Sequence, residues 1–498
     1  MTHWIILPVV LPALIAPLIV LLARRNLPAQ RLLSALSTLA LALLALGLLT
    51  QASHQPPQAY RLGDWPAPFG IVLVLDRLSA LMLALTAALS AAVLTHAIAT
   101  GWDARGRHFH ALFQFQLMGL NGAFLTGDAF NLFVFFEVLL IASYGLMIHG
   151  GGGDRLRAGV QYVALNLIGS TLFLFALAAV YAVTGTLNMA DLAVKIAALP
   201  PGDMALIRVA VLLLLAVFAL KGALVPLHFW LPGTYANAPG PVAALFAVMT
   251  KVGAYAILRT TTLIAPPDSP AIGDMAQTLL IPAAALTLAI GAIGVLGAST
   301  LPRLAAFAGI ASMGTLFLAL GQGQAQATAA ALYYLVHSTL ATAAIFLLAD
   351  LILSRRATAA LTPRPTFAQH GLMAALFFAT ALALAGLPPL SGFLGKLLVL
   401  QSMPDQPMLW ALILAASFLM ILGFARAGSV LFWQAEPAEV PPPRPANRAQ
   451  VAGLLALIAG LCLLSVFAGP VTAWMDKTAA TLHAPQPYIR ANDLGAAP

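Results

Sequence analysis

Long apolar runs recur along nearly the whole chain, interrupted only by short polar linkers. A hydrocarbon layer about 30 Å thick takes roughly 20 residues of helix to cross, and about fourteen runs meet that length. They fall at 4–23, 32–50, 71–98, 109–127, 129–148, 157–184, 205–231, 240–264, 276–297, 302–320, 326–353, 371–401, 408–433 and 449–472. No long polar linker divides them, so residues 1–498 read as a single all-α integral membrane domain. The larger loops are 51–70, 185–204, 265–275, 354–370 and the proline-rich 434–448, and the tail 473–498 reads as polar and flexible. The first run has no basic flank ahead of it and Arg24 and Arg25 behind it, the pattern of a retained helix rather than a cleaved signal.

Composition agrees with the pattern. The 498 residues are 61% hydrophobic and 8% charged, with a mean hydropathy of +0.94, too apolar for an ordinary soluble protein and too long for one span. The net charge of +8 does not point to nucleic acid, because the arginines are scattered over short loops. With the N-terminus outside, the inner loops hold Arg24, Arg25, Arg31, Arg105, Arg107, Arg155, Arg157, Arg303, Arg355, Arg356, Arg364, Arg444 and Arg448. The outer side holds Arg61, Arg77, Lys195, Arg208, Arg259, Lys477 and Arg490. Positive loops stay cytoplasmic, so an even number of spans places both termini outside a bacterial inner membrane. The single cysteine, Cys462, lies buried in the last run and can hold neither a cluster nor an internal disulfide. A Walker-type phosphate loop and paired Cys/His spacing are both missing from the sequence, so no cofactor is expected and no metal ligand set can be named.

Two runs contain internal prolines in a shared pattern: Pro226-Leu227-His228-Phe229-Trp230-Leu231 and Pro389-Leu390-Ser391-Gly392-Phe393-Leu394. Proline removes a backbone donor and breaks a helix, so both runs should be discontinuous, the second at Pro388-Pro389. Broken helices at matching places in two halves are a sequence signature of transporter ion sites. The expected organisation is two inverted repeats, 109–264 and 276–433, each with a proline-broken helix.

Four charged side chains lie deep in apolar runs: Glu137, Lys221, Lys251 and Lys396. A charge there costs a few kcal/mol or more, and such residues mark ion or proton pathways. Glu137 reads as the counter-charge of Lys221, which precedes the first break; the plain alternative is a static buried ion pair. A row of titratable ammoniums suggests relayed protonation, whereas Lys396 could instead snorkel to the outer headgroups. His337, between the two broken helices in chain order, has an imidazole suited to proton transfer. His228 would order water or merely anchor the break. His96, His108, His110, His149 and His370 fall near loop edges and are expected to be solvated. Asp76, Asp128 and Asp350 sit at span ends, where capping or interface placement is the default. Asp76, beside Arg77, could shape the mouth of a pathway.

At these residues the chain resembles a known family. The stretch from Leu220 to Pro232, followed by Ala238-Pro239 and Met249-Thr250-Lys251-Val252-Gly253, resembles the signature of antiporter-like membrane subunits. These comprise the Mrp (Pha) multisubunit Na+/H+ antiporters and the proton-pumping membrane arm of respiratory complex I. Gly386 to Lys396 resembles the second-half signature, and Tyr333 to Leu340 resembles the Pha-like branch, on the D-subunit side. The resemblance implies a proton pathway along Glu137, Lys221, Lys251, His337 and Lys396. Many relatives carry a lysine five residues after the histidine, where this chain has Thr342. Water held by Ser338, Thr339 and Thr342 is expected to bridge that gap.

The implied function is the proton-translocating subunit of a cation/proton antiporter driven by the proton motive force. Its partners would be other subunits of a hetero-oligomeric complex, protons, and sodium, with potassium or lithium as alternatives. Part of the cation path would lie in those other subunits. One rival reading is a proton-pumping subunit of NADH:quinone oxidoreductase or of a membrane-bound hydrogenase; another is a passive membrane scaffold.

Overall fold

The computed structural model describes residues 2–65, 69–200, 202, 204–267, 269, 272–434, 448–492 and 494. Most of the proline-rich loop, with Arg444, and the end of the tail lie outside the described residues. In chain order the elements are α1 (Leu7–Leu22), α2 (Leu27–His54), β1 (Gln58–Arg61), β2 (Val72–Leu75), α3 (Arg77–Thr100), α4 (Phe109–Leu125), α5 (Ala129–Met147) and α6 (Gly153–Thr184). There follow α7 (Met189–Ala197), α8 (Met204–Lys221), α9 (Trp230–Asn237), α10 (Gly240–Phe246), α11 (Met249–Arg259), α12 (Met275–Gly297) and α13 (Leu301–Leu320). The chain closes with α14 (Ala325–Arg356), α15 (His370–Ala385), α16 (Ser391–Gln401), α17 (Pro407–Gly428), α18 (Ala449–Val466), α19 (Ala468–Leu482) and α20 (Gln486–Ala491). Every run read as a span is helical over most of its length, and among the described residues 11 helical segments are long and apolar enough to cross a membrane.

Burial sorts these helices into an inner and an outer set. The stretch from Gly240 to Ile264, which holds α10 and α11, is buried except at Gly240 and Thr261, and most of α13 and α14 is buried too. Helices α2, α12, α17 and α18 bury about a third of their residues or less and carry exposed leucines, phenylalanines and valines. In a bilayer those outer residues face lipid, and the buried centre is where a polar group can be shielded from it.

Several expectations at the ends of spans are corrected. The third run does not begin as helix at 71: residues Val72–Leu75 form β2, antiparallel to β1, with Gln58 opposite Leu75 and Arg61 opposite Val72. The helix starts after Asp76, because the Asp76 carboxylate accepts the Ser79 N–H while the Ser79 hydroxyl accepts the Asp76 N–H, a reciprocal cap. The loop 185–204 holds α7. The tail expected to be flexible instead forms α19 and α20, with Met475, Thr478, Ala479 and Tyr488 buried; apolar residues at one-turn spacing give it a face to pack. Cys462 is exposed on the outer face of α18 rather than buried.

Candidate functional site: a row of buried ionisable side chains

Both proline-containing runs are interrupted where the sequence places the breaks, and the Val225–Pro226 and Pro388–Pro389 bonds are both cis. In the first, α8 stops at Lys221 and α9 resumes at Trp230. The freed backbone groups find partners: Val225 N–H donates to Thr287 Oγ1 of α12 at 2.9 Å, and the Leu220 carbonyl accepts Trp230 Nε1 at 3.1 Å. In the second, Gly386 and Leu387 N–H groups fold back on the Leu382 carbonyl at 3.1 and 3.0 Å. Irregular backbone at membrane depth is tolerated only with such compensation.

Lys221 is the last residue of α8 and is buried, 6% exposed. Its ammonium donates to Asn166 Oδ1 of α6 at 2.8 Å and lies 5.7 Å from the centre of the Phe136 ring. Glu137 of α5 does not pair with it directly among the described residues. The Glu137 carboxylate instead accepts from the Ser170 hydroxyl, one turn beyond Asn166 on α6, while remaining within electrostatic reach of Lys221. Neither Asn166 nor Ser170 is among the residues to which the sequence pattern points. A signal for them does exist: Tyr162, Asn166 and Ser170 recur every four residues, one helical face, in a mostly apolar run.

Lys251 lies on α11, 1% exposed, with no hydrogen bond to its ammonium among the described residues. Two residues on, Gly253 lets α11 meet the first break: a Cβ there would sit 2.6 Å from the Gly222 nitrogen and 2.7 Å from the Phe218 carbonyl oxygen. His337 of α14 is buried, its Nδ1 hydrogen-bonded to Ser391 Oγ at the start of α16 at 2.9 Å. It lies within electrostatic reach of both Lys251 and Lys396. Lys396 does not snorkel outward. Its ammonium turns back across the second break to donate to the Ala385 carbonyl and to Ser417 Oγ of α17, each at 2.8 Å. A cation at the C-terminal end of α15 is electrostatically favoured there.

The supporting residues divide. Ser338 and Thr339 hydroxyls donate to the Leu335 carbonyl of their own helix, at 3.2 and 2.8 Å. Thr342 Oγ1 is buried and unpartnered among the described residues, as is His228 Nδ1 beside the first break. Asp76 turns away from its neighbour Arg77 and forms a two-pronged pair with Arg259, the last residue of α11, at 2.6 and 2.7 Å. Asp128 caps α5 through the Asn131 N–H; burial pushes its carboxyl up to about 6, against the backbone N–H groups that favour its charged form.

The expectation of solvated loop-edge histidines is corrected at three positions. His96, His110 and His149 are buried. His96 Nε2 lies 2.9 Å from Asp350, which also accepts from Trp102 Nε1 at 2.8 Å, so Asp350 is no cap. His110 and Arg31 share Asp103, and His149 bonds the Trp102 carbonyl. The sequence hid most of these contacts because they join residues distant along the chain; only His110 and Asp103 are near neighbours, seven positions apart.

Known proteins resemble this chain in sequence and in fold. Residues 126–423 match the family described as NADH:quinone oxidoreductase/Mrp antiporter, TM. The chain is 40% identical, over 97% of its length and 96% of the relative's, to the probable D subunit of a K(+)/H(+) antiporter of Rhizobium meliloti. It is 38% identical, over 99% of both chains, to the D subunit of the Na(+)/H(+) antiporter of Bacillus subtilis. A chain of the solved Mrp complex from Dietzia sp. superposes with a TM-score of 0.91 at 28% identity, covering 99% of this chain and 100% of that one. Fold and sequence thus agree that the chain belongs to the NADH:quinone oxidoreductase/Mrp antiporter transmembrane family.

Proposed function

We propose that this chain is the proton-carrying membrane subunit of a multisubunit monovalent cation/proton antiporter, driven by the proton motive force across a bacterial cytoplasmic membrane. Sodium or potassium is the exchanged cation, the two ions for which its relatives in Bacillus subtilis and Rhizobium meliloti are named. Other subunits complete the assembly, as in the Mrp complex that the fold matches. Protons pass along Glu137, Lys221, Lys251, His337 and Lys396, within halves 109–264 and 276–433, and both termini face outward. Asp76, His228, Thr342 and the breaks at Pro226 and Pro388-Pro389 support that row.

The observation that carries this reading is the way the end lysines are held. Lys221 faces an amide oxygen, and Lys396 faces a carbonyl and a hydroxyl. A static ion pair would lock each proton in place, whereas a neutral acceptor leaves the ammonium free to give its proton up and take another. Ser170 likewise keeps Glu137 hydrogen-bonded without a direct lysine contact.

The test is cation-driven proton movement in everted vesicles carrying the whole complex, with wild type compared against Lys221→Ala and Glu137→Ala at matched expression. Sodium- or potassium-dependent collapse of a preformed pH gradient in wild type, lost in both variants, is the expected result. No cation-dependent signal in wild type, beside a gradient that NADH or hydrogen oxidation builds and that both variants lose, would replace antiport by a redox-driven pump. Unaltered transport in the variants would leave a scaffold.

A further inference from the structure

The fully buried helix that carries Lys251 is held at both ends by the chain around one other helix, α3. At the outer end, Asp76, the cap of α3, grips Arg259 with both carboxylate oxygens at 2.6 and 2.7 Å. The third arm of the guanidinium, Nε, donates to Tyr255 Oη at 3.1 Å, and Tyr255 in turn donates to the Phe124 carbonyl at 2.8 Å. Lys251, Tyr255 and Arg259 stand four residues apart, about 6 Å of rise each, so they climb one side of the helix. At the inner end, α10 begins at Gly240 against Asp350: a Cβ on that glycine would lie 2.6 Å from the Asp350 Cγ. Asp350 is itself gripped by His96 of α3 and by Trp102, just beyond its end. In the middle, Gly253 presses on the backbone of the Lys221 break. A slide along the axis would therefore carry Lys251 past Lys221.

We propose that the Asp76–Arg259 pair is a positioning latch that fixes the height of Lys251 relative to Lys221. The inference rests on the reading that Lys251 carries protons. A buried ion pair is a poor source of net stability, since apolar residues of similar volume often serve as well, and its best-attested use is to fix register. Asp76 is itself locked by its reciprocal cap with Ser79, so the latch has a rigid post. The pair borders a cavity of about 290 Å³ at the outer end. The other titratable groups facing the pair are Tyr255 of α11, Tyr488 of α20, and His54 and Arg77 along the cavity wall.

The experiment uses the whole complex in everted vesicles, with assembly measured by co-purification and antiport followed across pH for wild type, Arg259→Gln, Arg259→Lys, Asp76→Asn and Lys251→Ala. A misplacement near 1 Å in a reacting group costs about a hundredfold in rate, so Arg259→Gln should lose about ten- to a hundredfold at normal assembly. Its pH midpoint should also move, by about one unit, because Lys251 would sit in a changed environment. Arg259→Lys, which keeps the charge, should recover much of the rate and the wild-type midpoint. Loss of assembled complex with an unchanged midpoint would mark a purely structural pair and overturn the proposal. So would an assembled Arg259→Gln complex with wild-type rate and midpoint. If Arg259→Gln does not assemble, Asp76→Asn, which keeps the α3 cap, takes its place under the same criteria; failure of both to assemble makes the pair a folding element and also overturns the latch. Full antiport in Lys251→Ala beside loss in Arg259→Gln would sink the pathway reading and the latch with it. The reverse pattern would sink the latch alone.

Discussion

Asn166 is the residue on which the first half of the row turns, and it is neutral. Its amide oxygen is the hydrogen-bond partner of the Lys221 ammonium, at 2.8 Å, and its own Nδ2 is tied to the Tyr162 carbonyl at 2.8 Å, so the oxygen is aimed rather than free to rotate. Asn166→Ala should leave the ammonium buried without an acceptor, a loss of about 1 to 3 kcal/mol for the charged state. The expected outcome is antiport slowed by about tenfold or more with normal assembly, a milder defect than Lys221→Ala. Rates in everted vesicles that match wild type would show that Lys221 draws nothing from this contact. Charged members of the row were legible in the sequence because a lysine or glutamate in an apolar run is too costly to keep without a use. Asn166, Ser170, Ser391 and Ser417 were not, since hydroxyls and amides inside spans commonly bond their own helix, as Ser338 and Thr339 do here. The same limit hid Arg259, which looked like an outer-loop charge until Asp76 was seen to hold it.

At the scale of elements, the contact between α11 and the first break depends on a missing side chain. Gly253 admits the backbone of Gly222 and Phe218 where a methyl group would lie 2.6 to 2.7 Å from their atoms, and backbone cannot rotate away as a side chain could. Gly253→Ala should therefore force the two helices apart, with overpacking of about 1 to 3 kcal/mol and a loss of antiport that exceeds the loss of assembly. Gly233→Ala on α9, where an added Cβ meets nothing within 4 Å, is the matched control and should behave as wild type. Equal behaviour of the two variants in thermal stability and transport would remove the argument that close approach at the break matters. The breaks themselves were readable, because Pro226 and Pro389 follow a rule that acts locally. The strand β2 was not: Val72-Leu73-Val74-Leu75 is as apolar as the helix after it, and only the Asp76 cap and its pairing with β1 distinguish the two. Packing of α19 and α20 was equally hidden, since a polar-looking tail reveals its buried face only when Tyr488 finds Arg259.

The whole molecule has two ends, and contacts distant along the chain sort its loops between them. Arg31, Asp103, His110, His149, Trp102 and Asp350 meet at one end. Ser53, Arg61, Arg77, Trp474, Thr478 and Asn492 meet at the other. That grouping is the one the alternating arginine-rich loops imply, so the order of crossings was legible from charge alone. Which end faces the cytoplasm is a separate matter: the excess of arginine at the first end predicts that it does, and the prediction can be measured. With Cys462→Ser removing the native thiol, Asp154→Cys at the start of α6 and Lys477→Cys on α19 each place one exposed thiol in water, an odd number of crossings apart. A membrane-impermeant maleimide should label Lys477→Cys in right-side-out vesicles and Asp154→Cys only in everted ones. The opposite pattern would invert the orientation while keeping the span count, and would move the Asp76–Arg259 cavity to the cytoplasmic face. Labelling of both thiols from one side would break the count itself, and with it the placement of Glu137 and Lys396 at membrane depth on which the proton pathway depends.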